Sequence, residues 1–260
     1  MYKYYCKIIN KIIPVTLLII GTIYNPIICQ NNKNKDYIKT AFQLTSFLYL
    51  QYGFESDHLI EDGPPPNSLD KYFRGKFRWE GDKIDQAKSL SDFLLYGVFI
   101  SSIPITPLVS EKHYYKNLLT NIQVLSLNGI ITNTVKILAK RQRPDSYYKT
   151  RIYKNDQFRS FFSGHTSTAF AIGTSSAIML SDSYPKRKNI IWATTYTLAL
   201  ATGYFRIAAD KHYLTDIITG GIVGVIVGNL VQKSKKNSNM SIMPLRKGNK
   251  RLVNIAIEIY

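Results

Sequence analysis

From residue 93 onward the sequence repeats one pattern five times, an apolar stretch followed by a polar joint. The stretches lie near 93–110, 118–138, 166–181, 190–205 and 214–231. Each runs to roughly 16–21 residues, against the about 20 that an α-helix needs to cross a bilayer. The pattern predicts an all-α fold, a helical bundle polytopic in a membrane with about five or six spans. Ser, Thr and Asn within the stretches leave the buried helices of a soluble bundle as the alternative. The joints bear on the choice. Lys186, Arg187 and Lys188 fill one, Lys233, Lys235 and Lys236 follow the last stretch, and Lys112 and Lys116 flank another. Basic joints on one side are what the positive-inside rule requires. The joints at 139–165 and 206–213 then share the opposite side, facing the periplasm or exterior of a bacterial-type cell membrane.

The mean hydropathy of −0.11 is low for such a protein because the regions outside the stretches are very polar. Residues 1–29 carry Lys3, Lys7 and Lys11 ahead of an apolar run, which reads as a signal peptide or an uncleaved first transmembrane helix. Cleavage would leave open a secreted periplasmic form. Both cysteines, Cys6 and Cys29, fall in this segment, so thiol chemistry is excluded from function. Residues 30–92 read as a polar, solvent-exposed N-terminal region, with Gly63-Pro64-Pro65-Pro66 as a stiff connector. Residues 93–231 form the helical domain. The basic tail at 232–260 alternates polar and apolar residues on both sides of Lys247-Gly248-Asn249-Lys250, the pattern of a β-hairpin.

The formal charge of +17 points to an anionic partner. The joint after the second stretch concentrates it: Lys140, Arg141, Arg143, Lys149, Arg151, Lys154 and Arg159 face only Asp145 and Asp156. Seven cations in a loop on the outer side require an anion to offset their mutual repulsion, and a phosphate site supplies one.

Three clusters carry the chemistry: Lys136-x6-Arg143-Pro144, then Ser163-Gly164-His165, then Arg206-x5-His212-x3-Asp216. In these the chain resembles the type 2 phosphatidic acid phosphatase and haloperoxidase superfamily, whose motifs are K-x6-RP, PSGH and SR-x5-H-x3-D. The resemblance covers about residues 93–231. Phe162 stands where the family usually has proline, and Phe205 where it usually has serine. These departures bear on rate and substrate preference more than on reaction type.

The residues support the same chemistry on their own terms. Phosphoryl transfer needs cations around the equatorial oxygens, a nucleophile in line and an acid for the leaving oxygen. Lys136, Arg143 and Arg206 are the cations, and arginine suits forked contacts with phosphate. Ser163 and Gly164 stand ahead of the helical run from Thr166, so their backbone N–H groups can point at the anion with the helix dipole behind them. His212 and Asp216 share a face if a helix runs on from 212, which lets the carboxylate bond one ring nitrogen. The resemblance implies that His212 is the nucleophile forming a phosphohistidine and that Asp216 orients it. It likewise implies that His165 protonates the leaving group and later activates water. It implies no metal and no cofactor.

Lys140, Arg141, Arg151 and Lys154 match no motif position and read as steering or headgroup contacts. Tyr114-Tyr115 and Tyr147-Tyr148 read as interfacial anchors. The sequence thus points to a phosphatase acting on a phosphate monoester or pyrophosphate, of a phosphorylated lipid or a small phosphate ester. Within the family, a vanadium-dependent haloperoxidase and a soluble-substrate acid phosphatase are rivals. Nucleic-acid binding would use the charge and the tyrosines but explains neither the apolar stretches nor the ordered histidines, and a non-catalytic membrane protein would not need them.

Overall fold

The structure is a computed structural model that describes residues 32–53, 65–110, 113–150, 156–237, 240–247 and 250–257. The N-terminal segment expected to be a signal peptide or first span lies outside the described residues, as do Arg151 and Lys154. Helix α1 (Asn32–Tyr52) and α2 (Ser68–Phe77) precede α3 (Lys83–Ile100), which runs through a π-helical turn at Ser101–Ile105 into α4 (Thr106–Val109). Then come α5 (Tyr114–Ala139), α6 (Pro144–Tyr147), α7 (Gly164–Ser183), α8 (Lys188–Ala208) and α9 (Leu214–Asn237). The chain closes with strands β1 (Met240–Lys247) and β2 (Lys250–Ile257), an antiparallel pair in register from Met240 opposite Ile257 to Lys247 opposite Lys250.

Local chemistry sets the helix ends nearest the site. The Asn67 side chain accepts from the Asp70 N–H at the start of α2. Ser163 does the same for Thr166 in α7, and Pro144 opens α6, where its missing N–H costs nothing. Helix α5 stops where Lys140 turns left-handed, at φ 45°.

α7 is the centre of the bundle, packed against α3, α5, α8 and α9. Its contact with α9 is backbone to backbone, through glycines spaced four apart. A Cβ on Gly220 would lie 2.8 Å from the Ser163 carbonyl oxygen, on Gly224 2.3 Å from that of Ser167, and on Gly228 2.5 Å from that of Ala171. Small residues at this spacing let two helices in a membrane approach closely. Val98, Val124, Phe170, Ile172 and Val227 fill the core around this contact.

Three helical stretches are long and apolar enough to cross a bilayer among the described residues: Lys83–Val109, Tyr114–Tyr147 and Leu214–Lys235. They account for three of the five apolar stretches expected from residue 93 onward. Helices α7 and α8 supply the other two apolar stretches but are more polar, and in α7 this follows from its place. Surrounded by protein, it buries Ser167, Thr174 and Ser175 completely, with Ser167 Oγ donating to Asn128 and Ser175 Oγ to Asn121, both at 2.6 Å.

The stretch at 30–92, read from its polarity as solvent-exposed, instead supplies α1, α2 and the start of α3 to the bundle. α1 packs on α5 through Leu50, Phe47 and Ile130 and through a hydrogen bond of 2.6 Å from Gln123 to the Thr40 hydroxyl. A helix can bury polar side chains where each finds a partner, and that is how a polar sequence comes to line a core.

Candidate active site

The three motifs meet at one end of α5, α7, α8 and α9. Lys136, in the last turn of α5, is buried and donates from Nζ to the Arg159 carbonyl at 2.7 Å. Arg143 is buried as well. Its Nε donates to the Asp156 carbonyl at 2.9 Å, Nη1 to the Lys211 carbonyl at 3.0 Å, and Nη2 pairs with the Asp156 carboxylate at 2.7 Å. Nη1 also lies 3.2 Å from His212 Nε2. Arg206, near the end of α8, reaches Ser91 Oγ at 3.1 Å and Asp92 Oδ1 at 3.4 Å from Nη1, while its Nε is buried with no hydrogen-bond partner among the described residues.

His212 precedes α9 by two residues, so it does not share a helix with Asp216 as the spacing suggested. The turn still brings Nδ1 to 3.5 Å from Asp216 Oδ2. This is an ion-pair distance and not a hydrogen bond, because Oδ2 already accepts from Ser160 Oγ at 2.6 Å and from the Tyr213 N–H at 3.0 Å. Arg143 can only donate, so its contact requires a lone pair on Nε2 and leaves the ring proton on Nδ1, facing Asp216. His212 is 2% exposed. Its burial, then the charges of Arg143, Lys136 and Arg206, hold it well below the ordinary histidine range, as a neutral imidazole.

His165, in the first turn of α7, is more open. Its Nε2 lies 2.7 Å from Asp92 Oδ1. Burial first, then Arg206, lowers it to about 4 in spite of Asp92. At Asp156, half-exposed, burial acts to raise the carboxyl, but Arg143 and Lys136 outweigh it and leave it below its usual range.

Ser163 and Gly164 behave differently from each other. The Ser163 N–H, expected to face an anion, donates instead to the Asp216 carbonyl at 3.1 Å, and its hydroxyl caps α7. That N–H is taken because α7 and α9 start side by side. Gly164 is the first residue of α7, where an N–H has no partner within the helix. A Cβ there would sit 3.4 Å from Thr132 and 3.8 Å from Lys136, ordinary contact distances, so packing within the protein does not itself demand glycine.

Four site residues escape a reading by motif. Asp92 holds His165 and Arg206, Asp156 pairs with Arg143, Ser160 donates to Asp216, and Asp70 accepts from Arg141 Nη2 at 2.6 Å. Arg141 is not a steering cation. Its Nη1 donates to Asp216 Oδ1 at 2.6 Å, and its Cζ lies 4.4 Å from the Tyr213 ring centroid. A buried carboxylate needs such a counter-charge. Of the departures from the motifs, Phe162 is buried, and Phe205 packs edge-on against Trp79 beside Ala87, Ala208 and Ala209. Among the described residues no three His, Cys, Asp or Glu side chains are grouped as metal ligands would be.

Residues 118–240 match the family model of the PAP2 superfamily. A lipid A 1-phosphatase of Porphyromonas gingivalis is 32% identical over 120 residues, 46% of this chain. The match spans only 24% of that relative's length. Among solved structures, a transmembrane PAP2-type phosphatidylglycerolphosphate phosphatase from Bacillus subtilis superposes with a TM-score of 0.54 at 20% identity. That superposition covers 76% of this chain and 96% of the other and shows a common fold. LpxE of Aquifex aeolicus is 24% identical, with a TM-score of 0.42 over 65% of this chain and 88% of its own. Three of its helices have the length and composition of membrane spans.

Proposed function

We propose that this protein is a metal-independent phosphatase that removes a phosphate from a phosphorylated lipid, a monoester or pyrophosphate, through a phosphohistidine on His212. The observation that carries the reading is the state of His212. It is buried and neutral, with a lone pair on Nε2 among the cations Arg143, Lys136 and Arg206 and a carboxylate behind Nδ1. An anion entering among those cations would draw Arg143 off Nε2 and leave the lone pair facing phosphorus.

In the first step Nε2 bonds to phosphorus as the bond to the leaving oxygen breaks, and His165 gives that oxygen a proton. In the second, His165 takes a proton from water, the water oxygen bonds to phosphorus, and the P–N bond breaks to release phosphate. Asp216 stabilises the charge that His212 acquires in between. Lys136, Arg143, Arg206 and the Gly164 N–H meet the charge on the transferring oxygens. Asp92, between His165 and Arg206, holds both in place.

A lipid substrate is supported by the apolar helices that carry the site and by the relatives named for lipid A and phosphatidylglycerolphosphate. Hydrolysis by the purified protein of a panel of lipid phosphates and soluble esters tests the reading, which fails if no phosphate is released from any of them. The site faces the periplasm or exterior of a bacterial cell membrane, since the lysine-rich joints mark the other side. Cysteines introduced at 149 and 187 test this. In intact cells an impermeant reagent labels 149 and spares 187, and the reverse pattern inverts the topology.

A further inference from the structure

Helix α2 lies outside the stretch that matches the family, yet it reaches the turn bearing His212 from two directions. In its first turn Asp70, fully buried, accepts from the Thr215 N–H at 3.0 Å and from the Thr215 hydroxyl at 2.8 Å. Thr215 is the second residue of α9, and a helix leaves its first N–H groups without partners of its own. A short polar side chain just ahead of the helix usually accepts from this N–H. Tyr213 stands there and has none, so Asp70 supplies the acceptor from another helix.

Asp70 Oδ2 also accepts from Arg141 Nη2, whose other arm donates to Asp216. One guanidinium therefore bridges two buried carboxylates. A turn further along α2, Arg74 holds Asp210 through Nε at 2.6 Å and Nη2 at 2.7 Å, and Asp210 lies two residues before His212.

We propose that α2 is a positioning element of the active site, and that Asp70 and Arg141 are positioning residues that fix the Asp216 carboxylate and thereby the His212 ring. The proposal rests on the reading of His212 as nucleophile. Its signature is non-additivity. Removing the Arg141 charge leaves Asp70 and Asp216 buried near each other without their shared cation, which is worse than the loss of one contact. Removing Asp70 as well relieves that repulsion and leaves Asp216 with Ser160 and the Tyr213 N–H. Coupled neighbours of this kind deviate from additivity by factors of a few up to about 100.

The test uses the full chain in detergent micelles with an activated aryl phosphate and the variants D70N, R141M and D70N/R141M. R141M is expected to lose about 100-fold in kcat and D70N about 10-fold, each with KM within about threefold of wild type. The double variant should be at least about fivefold faster than R141M. Should R141M fail to fold, R141K keeps the charge without the fork and should fall between wild type and D70N/R141M. A double variant no faster than R141M, or D70N within twofold of wild type, overturns the proposal. Hydrogen exchange gives a readout independent of turnover. The Thr215 amide should lose protection in Asp70→Ala and keep it in Asp70→Asn, and unchanged protection in Asp70→Ala overturns the positioning role of α2. If the wild type hydrolyses no ester, the functional reading fails, while the exchange result still decides whether α2 holds this turn.

Discussion

Replacing Arg143 by lysine separates the contribution of its charge from that of its fork. In the free site the guanidinium serves the Asp156 and Lys211 carbonyls, the Asp156 carboxylate and His212 Nε2 at once. A lysine presents one charged centre and cannot hold this set together. At least one carbonyl loses its donor, and a buried acceptor left unpaired costs about 1–3 kcal/mol. Asp156 is 50% exposed, so water can replace part of what is lost there. The cost therefore falls near the lower end, about 1–2 kcal/mol, a fall in Tm of about 2–8 °C for a chain of this size. The kinetic loss should be larger. Removing a preorganised donor to a developing charge costs about 100- to 1,000-fold in kcat. Lysine retains the charge, so Arg143→Lys should lose about 10- to 100-fold and Arg143→Ala about tenfold more, with kcat falling further than KM rises. Steady-state hydrolysis of an aryl phosphate by the purified variants, beside their thermal unfolding curves, gives both numbers. A lysine variant with wild-type kcat/KM, or an alanine variant that changes only KM, would reduce Arg143 to a clamp on the Asp156 loop and refute the reasoning.

Two further predictions concern the cations and the protons. On the proposal that Lys136, Arg143 and Arg206 meet the phosphoryl charge, chelators should leave the rate unchanged and orthovanadate should inhibit competitively; restoration of a chelated enzyme by Mg²⁺ would contradict this. His165 is lowered to about 4, so above that pH it is neutral in the free site and the proton it delivers must arrive with the substrate. A phosphate monoester loses its second proton near about pH 6. The rate constant kcat/KM should therefore fall about tenfold per pH unit above that point, and the limb should move with the second pKa of the substrate. A limb fixed across substrates would assign it to the protein instead.

The candidate site residues are legible because Lys136 with Arg143, Ser163 with His165, and Arg206 with His212 and Asp216 lie within short stretches of chain. Their supports are not. Asp92 meets His165 across 73 residues, Arg141 meets Asp216 across 75, and Asp70 meets Thr215 across 145, so no spacing announces them. Arg141 looked like one more cation in a basic loop, and only the fold turns it inward. The polar stretch that holds α1 and α2 hides its role for a related reason. Thr40 and Asp70 are buried in it, and polarity alone cannot tell a solvated side chain from one satisfied by a partner far along the chain, as Thr40 is by Gln123 and Asp70 by Thr215. The partner of the Ser163 N–H is hidden in the same way, because its acceptor, the Asp216 carbonyl, belongs to another motif.

The central claim is that His212 carries the phosphoryl group while His165 handles the leaving-group proton, and trapping the intermediate tests it most directly. An activated aryl phosphate has a leaving group that needs no protonation, so His165→Ala should still be phosphorylated by it but should hydrolyse the intermediate slowly. His212→Ala has no nucleophile and should be inactive on every ester. With radiolabelled substrate and rapid quenching at alkaline pH, the account predicts that label accumulates in the His165→Ala protein on a peptide containing His212. Label on another residue, or hydrolysis by His212→Ala at the wild-type rate, would contradict it.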